Sequence, residues 1–512
     1  MKRIIFSATA LLMCSGLLMA QGESDILLMS RTQMNGTARS VALGGAMGAL
    51  GGDMSSIAIN PAGIGVYRSS EFAFTTGVNY NGTYTDYHGT KMNDEHFNLP
   101  INQIGYVGTW MPMREVNNGV VSTHFGIGYN RINGFDQNFI MGGNSLKSSM
   151  LSRFVIDATG KATNQLGSFG AELAYDAYLL DLLPGMESEY YQAHEYISDQ
   201  NQIVMPNTIN QRQKIEKNGY GGEYAFTFGM NVSNLIQLGA SLNFQSLVYD
   251  ENNAYREQNN YDVIAVGPLD VDYFEYYRNT NLRGTSINAK LGVIVRPIQQ
   301  LRVGLAYHTP NWYQVTQEYN ERMVSHFHAA ENNHAIVDSP YSDMEYKFRT
   351  PGKFVASIAG VMERGLVSVD YEYTDYSQAK FTPAGGNFDI DNVTDPLNQS
   401  ISIYYQPAHT IRVGAEMKLT DQLLGRLGAG YYGSPIKSEY TISDMARTTY
   451  SAGLGYRTNF FFCDVAYMMA TQKEDHYAFN YDASVYDYLE PVSPVAVSQY
   501  NHQVSVTFGW KF

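Results

Sequence analysis

Three histidines lie close together in the stretch HFHAAENNH, and histidine is the side chain most suited to holding a metal at neutral pH. His326, His328 and His334 fall in a polar segment that we expect to form a loop. Imidazole nitrogens bind iron, free or in haem, so the cluster could ligate either. The same side chains could equally be solvated and hold nothing. A haem-binding receptor therefore stays open as one interpretation.

Motifs that usually mark catalysis are missing from the sequence. It contains no GxxxxGK[ST], HExxH or GxSxG motif and no CxxC pair. The stretch GGAMGALGG, residues 44–52, is similar to a dinucleotide-binding loop, but no alternating helices and strands follow it. Carboxylates are numerous, yet their spacing assigns no acid–base pair. We expect neither an enzyme nor a resident cofactor or metal.

The composition argues against two further classes of protein, nucleic-acid-binding proteins and bundles of membrane helices. The chain has 512 residues, 40 Tyr, 24 Phe and a formal net charge of -15. An acidic protein lacks the basic footprint that nucleic acid requires. The mean hydropathy of -0.26 argues against a bundle of membrane helices.

The N-terminus predicts export. Lys2-Arg3 precedes an apolar run, Ile4–Met19, and the pattern indicates a signal peptide, residues 1–20, cleaved after Ala20. A retained anchor or lipidation at Cys14 are the alternatives. Cleavage leaves Cys463 as the one cysteine, so no intrachain disulfide is expected.

Alternation of apolar and polar residues dominates after about residue 70. Val504, Val506, Phe508, Trp510 and Phe512 alternate with polar or small residues. Since successive strand side chains point to opposite faces, one face is apolar and the other polar. The same pattern recurs at residues 287–295, 303–307 and 411–419. A soluble sandwich and a membrane barrel both fit this alternation.

Three features favour a transmembrane antiparallel β-barrel. Short connections, near 114–119, 232–236, 296–300, 363–365, 420–422 and 457–459, alternate with long polar ones. Aromatic residues crowd the strand ends, for example at Tyr404-Tyr405 and Phe460-Phe461-Phe462, as in interfacial girdles. The chain ends on an aromatic strand at Phe512, which is typical of recognition by outer-membrane assembly machinery.

The turns predict about 14 strands, an even number as bacterial barrels require. The predicted ranges are 71–82, 100–112, 119–131, 216–232, 236–250, 281–296, 300–318, 343–362, 364–381, 400–419, 423–440, 446–457, 459–479 and 500–512. One long connection, 133–218, has helical spacing at 145–158 and 168–184. These helices could pack on their own loop or offer an exposed apolar groove for hydrophobic ligands.

The stretch ARSVALGGAMGALGGDMSSIAINPAG resembles the N-terminal signature of the FadL/TodX family of outer-membrane transporters for hydrophobic compounds. The shared units are Ala38-Arg39, Gly44-Gly45-Ala46, Asp53-Met54-Ser55-Ser56 and Asn60-Pro61-Ala62-Gly63. The family often has paired acids where this chain has Gly52-Asp53. Because Gly52 stands in place of the first of the two acids, a role of that acid is not carried over to this chain.

This resemblance implies a barrel, residues 71–512, whose lumen is closed by an N-terminal hatch, residues 21–70. It implies that compounds such as long-chain fatty acids are captured at the outer face and diffuse into the barrel without an energy source. They would leave sideways, through a gap made by an inward kink in the third strand. The implied partners are these ligands and outer-membrane lipid.

The residues agree with a hatch. Small side chains allow its backbone to lie close to the lumen wall. Pro61 fixes its own φ and Asn60 can bond nearby backbone, so Asn60, Pro61, Ala62 and Gly63 predict a rigid bend. The unit could instead be only a turn into the first strand.

The predicted third strand contains HFGIGYN, in which Gly126 and Gly128 could mark the kink. Glycines that simply face the lumen are the alternative. Passive transport of hydrophobic compounds is the leading functional hypothesis. A haem receptor, and an adhesin or structural porin that does not transport them, are the alternatives.

Overall fold

The computed structural model describes residues 23–112, 118–197, 203–205, 208–260, 271–328, 334–382, 391–481, 483–486 and 489–512. The predicted signal peptide, residues 1–20, lies outside this part of the chain and stays a prediction. In the described residues the chain forms a closed antiparallel barrel of 14 strands, as the alternation predicts.

Several barrel strands are continuous and others have a short interruption. The strands are β1 (Glu71–Tyr87), β2 (Thr90–Asn98 and Ile101–Trp110), β3 (Val120–Gly134 and Gln137–Leu146), β4 (Thr208–Val232), β5 (Ile236–Asn260), β6 (Val271–Ile298), β7 (Leu301–His308 and Trp312–Phe327), β8 (Ser342–Arg349 and Lys353–Val361), β9 (Gly365–Asp375 and Lys380–Thr382), β10 (Pro407–Lys418), β11 (Leu423–Tyr432), β12 (Arg447–Arg457), β13 (Phe461–His476) and β14 (Val495–Lys511). Consecutive strands pair in order, and β1 pairs with β14 from Glu71↔Lys511 to Asp86↔Ala496, which closes the barrel.

The wall is apolar outside and polar inside. On β14, Val504 is 39% exposed and Trp510 is 42% exposed, whereas Ser505 and Thr507 are fully buried. This order is the reverse of a soluble sandwich, in which the apolar face forms the core. The alternation predicted from the sequence is therefore that of a lipid-facing wall around a polar lumen.

Strand ends differ from the sequence-based ranges where the outward face of a strand is polar. Thr90–Asn98 has the sequence TKMNDEHFN, with no apolar alternation, and was not predicted. Polar extensions likewise lengthen β4, β5 and β6 beyond the predicted ranges. Two predictions were wrong at their ends: 400–404 belongs to a helix, and 433–440 lies outside β11. Where the outward face is polar and the inward face mixes polar and apolar residues, as in the extensions that carry the buried Tyr255 and Phe274, the alternation of apolar and polar residues is lost.

Seven short helices accompany the barrel in the described residues. They are α1 (Glu23–Ser30), α2 (Ala38–Ala42), α3 (Ser56–Ile59), a 3₁₀ helix (Pro61–Val66), α4 (Met150–Ala158), α5 (Ala171–Asp176) and α6 (Asp391–Tyr404), with single 3₁₀ turns at Thr163–Gln165 and Tyr376–Gln378. None of the described helices combines the length and apolarity that a membrane-crossing helix needs.

The long connection between β3 and β4 forms a cap. It is shorter than predicted, because Gln137–Leu146 and residues 208–218 belong to strands. Helices α4 and α5 lie inside the predicted ranges, and their apolar residues are buried together with Tyr87, Phe139, Tyr255 and Phe274 of the wall. These helices therefore build the core of the cap. Their apolar faces are buried and do not form the exposed groove.

The N-terminal segment, residues 23–70, runs inside the barrel. Bonds from the wall hold it at several points: Thr507 Oγ1 accepts from Ala38 N (2.7 Å), Asp370 Oδ2 accepts from Gly48 N (2.9 Å), and Lys290 Nζ donates to Ala58 O (3.1 Å). Arg39 forms an ion pair with Glu416 of β10, with Nε and Oε2 3.0 Å apart. Further bonds come from Arg302 and His308 of β7.

Wall glycines allow the backbones to touch. A Cβ at Gly428 would lie 2.1 Å from Gly44 N, and one at Gly414 would lie 2.4 Å from Leu43 O. Neither atom belongs to a flexible side chain, so the segment would have to move. The small-residue stretch GGAMG thus faces a matching pair of side-chain-free positions on β10 and β11.

We expect Gly428→Ala to displace the N-terminal segment at a cost of about 1–3 kcal/mol, the usual range for overpacking. Amide hydrogen exchange should rise in residues 38–66 while the strands stay protected. Gly360→Ala is the matched control, because a Cβ there meets nothing within 4 Å. Equal exchange in the two variants would show that the close backbone contact does not hold the segment.

Candidate functional site

The third strand is interrupted at Phe135-Asp136, and its two halves have different neighbours. Val120–Gly134 pairs with β2 on one side and β4 on the other. Gln137–Leu146 pairs with β4 alone among the described strands. Its second edge turns inward against β1. We call residues 133–137 the β3 break.

Side chains of β1 replace the missing backbone ladder. Asn81 Nδ2 donates to Asp136 O (2.6 Å), Thr83 Oγ1 to Asn138 O (2.8 Å) and Thr85 Oγ1 to Ile140 O (2.8 Å). A buried carbonyl without a hydrogen-bond donor would be costly. The second half of β3 can therefore leave the plane of the wall without leaving these carbonyls unbonded.

A gap in backbone pairing follows between β2 and β3. Thr90–Asn98 pairs with β1, and no ladder in the described residues joins it to Gln137–Leu146. The two segments are connected by side chains, such as Asn138 Nδ2, which donates to Glu95 O at 3.1 Å. At this level the wall is closed by side-chain bonds alone.

Gly126 and Gly128 do not form this break. Gly126 pairs with Val107 and Thr227, and Gly128 pairs with Gly105 and Ala225, so the ladder is continuous at both. A Cβ at Gly126 would lie 2.7 Å from Ile64 Cδ1. Gly126 makes room for the N-terminal segment, and the interruption of the strand lies further along, at Phe135-Asp136.

Asp136 joins the parts of the β3 break. Its Oδ2 lies 2.6 Å from Arg131 Nη2 and also accepts from Asn98 Nδ2 of β2. Its Oδ1 accepts from Gly219 N of β4 at 3.3 Å. The Arg131–Asp136 pair is largely buried, with side chains 10% and 15% exposed. One carboxylate thus links β2, β3 and β4 at the point where the ladder fails.

The N-terminal segment also binds the β3 break. Gln33 Nε2 donates to Gly134 O at 2.8 Å, and Gly134 N donates back to Gln33 Oε1 at 3.1 Å. Gln33 N donates to Ile132 O at 2.9 Å. A movement of residues 31–35 would therefore pull directly on the break.

A lumen cavity of about 340 Å³ lies beside the break. Its lining includes residues 133–137 of the break, Asn79, Asn81 and Gly82 of β1, and an apolar group formed by Leu27, Leu28, Met34, Phe135, Tyr249, Met445, Met468 and Tyr500. This volume is within the range of small-molecule sites, which are mostly apolar with a few placed polar groups.

Two arginines line the same cavity without an ion pair. Arg31 Nη2 donates to Met445 O at 3.3 Å, and Arg447 Nη2 donates to Thr32 O at 3.1 Å. In the part of the chain that the structure describes, no carboxylate lies within 4.0 Å of either guanidinium, and Arg447 Nε is buried without an acceptor. Guanidinium groups bind carboxylates through two parallel N–H bonds, so the pair suits an anionic head group.

Other charges around the cavity are largely balanced. Lys217 lies 3.7 Å from Glu251, and Asp136 is paired with Arg131. Glu474 also lines the cavity. The two arginines against this one carboxylate leave a positive excess at the cavity wall.

Helix α1 fills the neighbouring part of the lumen. Its Ile26, Leu27 and Met29 are 1–8% exposed. They pack against Leu247, Tyr249, Leu282, Tyr313, Val315, Tyr346, Phe348, Phe381, Ile401 and Tyr404. The chain's own apolar side chains therefore occupy an aromatic surface next to the cavity.

The Asn-Pro-Ala-Gly unit forms a tight bend against the wall. Asn60 Nδ2 donates to Gly48 O (2.7 Å), and Asn60 Oδ1 accepts from Ala62 N (3.1 Å). Pro61 begins the 3₁₀ helix, and Gly63 O accepts from Gly52 N at 3.0 Å. Wall glycines make room again, since a Cβ at Gly292 would meet Asn60 Oδ1 at 1.9 Å.

The three histidines lie in the outer extension of β7 and beyond it. His326 pairs with His334 of the short strand His334–Asp338, and its ring stacks on Tyr273 at 5.0 Å between centroids. His328 follows the strand, and residues 329–333 lie outside the described part. Among the described residues, no three His, Cys, Asp or Glu side chains are grouped as metal ligands.

Sequence reasoning missed Arg31, Asp136 and Arg447. Asp136 falls within the predicted connection 133–218, because Asn133-Gly134 is typical of the start of a loop. The same dipeptide is the sequence signal that could have indicated an interruption within the strand. Arg31 and Arg447 come from opposite ends of the sequence. No local pattern could bring them together without the strand register.

We expect Asp136→Ala to loosen the β3 break, because Arg131 would lose its partner in a largely buried place, at a cost of roughly 3 kcal/mol. Amide exchange of residues 132–146 should rise locally. Asp338→Ala is the control, since its pair with Arg322 is about half exposed and such pairs contribute roughly 0–1 kcal/mol. Similar exchange of the break in both variants would remove Asp136 as its fastening point.

The sequence profile described as outer membrane protein transport protein (OMPP1/FadL/TodX) matches residues 226–508. A FadL homologue of Pseudomonas aeruginosa has a similar structure, with a TM-score of 0.55 and 14% identity over 94% of this chain and 99% of that one. The Pseudomonas putida toluene transporter TodX gives a TM-score of 0.51 and 12% identity over 94% and 99%. No match was found among curated protein sequences. With the profile covering more than half of the sequence, the chain belongs to the OMPP1/FadL/TodX family of outer-membrane transport proteins.

Proposed function

We propose that the protein lets amphipathic hydrophobic compounds, above all long-chain fatty acids, diffuse passively across the outer membrane. Membership of the family supports an outer-membrane channel for hydrophobic compounds. The observation that carries the finer proposal is one cavity lined both by the unpaired Arg31 and Arg447 and by the β3 break.

The arginines support an anionic head group. A carboxylate placed between them would accept the N–H donors that lack acidic partners, Arg447 Nε among them. A neutral aromatic hydrocarbon has no acceptor for these N–H donors and would leave them without acidic partners. The cavity's charge therefore favours a fatty acid over toluene-like compounds.

The apolar lining supports the tail. Leu27, Leu28 and Met34 come from the N-terminal segment, Met445 comes from the connection that precedes β12, and Met468 comes from β13. Methionine side chains adapt to flexible apolar ligands. A tail could also take the place of α1 on the aromatic surface, and α1 already shows that this surface accepts apolar groups.

The β3 break supports lateral release. Residues 133–137 line the cavity on one side and border the gap in backbone pairing on the other. We propose that the N-terminal segment acts as the hatch that keeps the axial route shut. Its Asn-Pro-Ala-Gly bend, bonded to Gly48 and seated on Gly292, would anchor the hatch. We also propose that Phe512, at the end of the C-terminal strand, is read by the outer-membrane assembly machinery.

We expect Arg31→Gln with Arg447→Gln to weaken fatty acid binding by about 10-fold or more, since bonds to charged groups contribute roughly 1.5–3 kcal/mol. Titration should compare a long-chain fatty acid with the alcohol of the same chain length, whose affinity should change little. Arg322→Gln is the control, because Arg322 is 53% exposed and far from the cavity lining. Equal losses for acid and alcohol would mean that the arginines do not read the carboxylate.

We expect a crosslink across the gap to block release without blocking capture. Glu95→Cys with Asn138→Cys joins the two unladdered segments, in a Cys463→Ala background. Tyr80→Cys with Phe97→Cys is the control, because these positions already pair in the β1–β2 ladder. Uptake into vesicles should stop only in the first variant and return on reduction.

Full uptake with the gap crosslinked would exclude lateral release. Mass spectrometry of gently purified protein gives an independent check of the substrate class. If no hydrophobic ligand is retained and small hydrophilic solutes pass freely, the protein is a porin and the proposal fails.

A further inference from the structure

A second cavity, of about 300 Å³, lies at the other end of the barrel, where the strands are joined by short connections. It is bounded by the N-terminal segment, through Leu50, Gly51 and Gly52, and by wall residues near both the β7 start and the β14 end. The charged groups that line it are Arg39, Arg68, Arg302, Lys511 and Glu71. We call this cavity the lower mouth.

Positive charge exceeds negative charge in the lower mouth. Arg39 is paired with Glu416 at 3.0 Å, and Glu71 accepts from Tyr67 OH at 3.2 Å. Across the described ranges of the chain, Arg68 and Arg302 form no ion pair. Arg68 is exposed and Arg302 is half-buried, and both line the cavity without an ion-paired carboxylate.

Hydrogen-bond donors are in excess as well. Arg302 Nη1 donates to Leu50 O at 2.5 Å, whereas its Nε is buried without an acceptor. Buried Nε atoms of Arg296 and Arg457, at the same end of the barrel, also lack acceptors in the described residues. Buried donors normally have a partner, so the unmet Nε of Arg302, which lines the cavity, suggests an acceptor bound there.

Electrostatic repulsion acts within this group. Arg39, Arg68 and Arg302 line the same cavity, so three guanidinium groups of like charge are held near one another. Like charges held close together in a partly buried place raise the free energy of the fold unless a counter-charge joins them. An oxyanion supplies both the negative charge and several acceptor atoms, and arginine binds carboxylate and phosphate oxygens in pairs.

We propose that the lower mouth is a binding site for a small free oxyanion, a carboxylate or a phosphate, held by Arg302 and Arg68. This site is distinct from the transport proposed above, because the N-terminal segment separates the lower mouth from the lumen cavity. The residues that line the two cavities are different.

Calorimetric titration of the purified full-length protein with inorganic phosphate, and separately with acetate, tests the proposal. Ionic strength is held constant with chloride, so that unspecific screening does not change. We expect saturable binding of at least one of the two anions. Arg302→Gln and Arg68→Gln should each weaken it by about 10-fold, the loss of one charge-assisted contact.

Two further variants separate charge from folding. Arg302→Lys keeps the positive charge and should retain most of the binding, although Arg302→Gln could also disturb the bond to Leu50. Arg364→Gln removes an exposed cation from a short connection outside the cavity lining and should change nothing.

Absence of saturable binding for both anions overturns the proposal. Binding that survives in both Arg302→Gln and Arg68→Gln overturns it too. Fatty acid retention in the lumen should be unchanged in these variants, so failure of this site and failure of the transport proposal give different results.

Discussion

Every backbone N–H and C=O group of a membrane-embedded wall has to find its partner inside the protein, because lipid offers none. A closed barrel meets this condition through its ladders, and β1 to β14 pair in an unbroken circle at the level of Glu71 and Lys511. The same condition makes any opening in the wall expensive. At the β3 break Asn81, Thr83 and Thr85 bond the carbonyls that the ladder leaves free, so the backbone stays hydrogen-bonded where strand pairing is interrupted.

The lumen follows a second condition, which is electrostatic. Its wall is polar, and buried charges there need partners. Most have them: Glu416 and Asp464 bind Arg426, at 2.6 Å each, and Lys290 is paired with Glu223. Against this background of matched charge, the cations without a partner stand out. In the described residues Arg31 and Arg447 at the lumen cavity and Arg302 at the lower mouth form no ion pair, and this charge is the reason to expect ligands in the two cavities.

The sequence predicted the repeating part of this structure and missed its exceptions. Alternation at 504–512 identified a strand with one lipid-facing side, and the same signal located all 14 strands. It failed at Thr90–Asn98, where both faces are polar. It misplaced the break because Gly126 and Gly128 look like interruptions although the ladder is continuous at both, and Gly126 makes room for Ile64. Asn133-Gly134, in contrast, looks like the end of a strand. In the sequence, the close contact between Gly44 and Gly428 leaves only one sign, which is a run of small residues. The sequence does not show which wall residue lies opposite Gly44, because that depends on the fold.

The two routes out of the lumen cavity differ in what they would have to break. The axial route meets the N-terminal segment, which touches the wall backbone at Gly414 and Gly428 and is bonded to several strands. These contacts would have to break together.

The lateral route crosses a level where β2 and β3 are joined by single side-chain bonds, from Asn98 to Asp136 and from Asn138 to Glu95. Bonds of this kind contribute about 0.5–1.5 kcal/mol each, up to roughly 3 kcal/mol where a charge takes part. Gln33 adds a connection between the two routes, because it binds Gly134 with both its donor and its acceptor. A ligand that shifts residues 31–35 would loosen the lateral closure while leaving the Gly428 contact in place, and this asymmetry supports sideways release over passage along the axis.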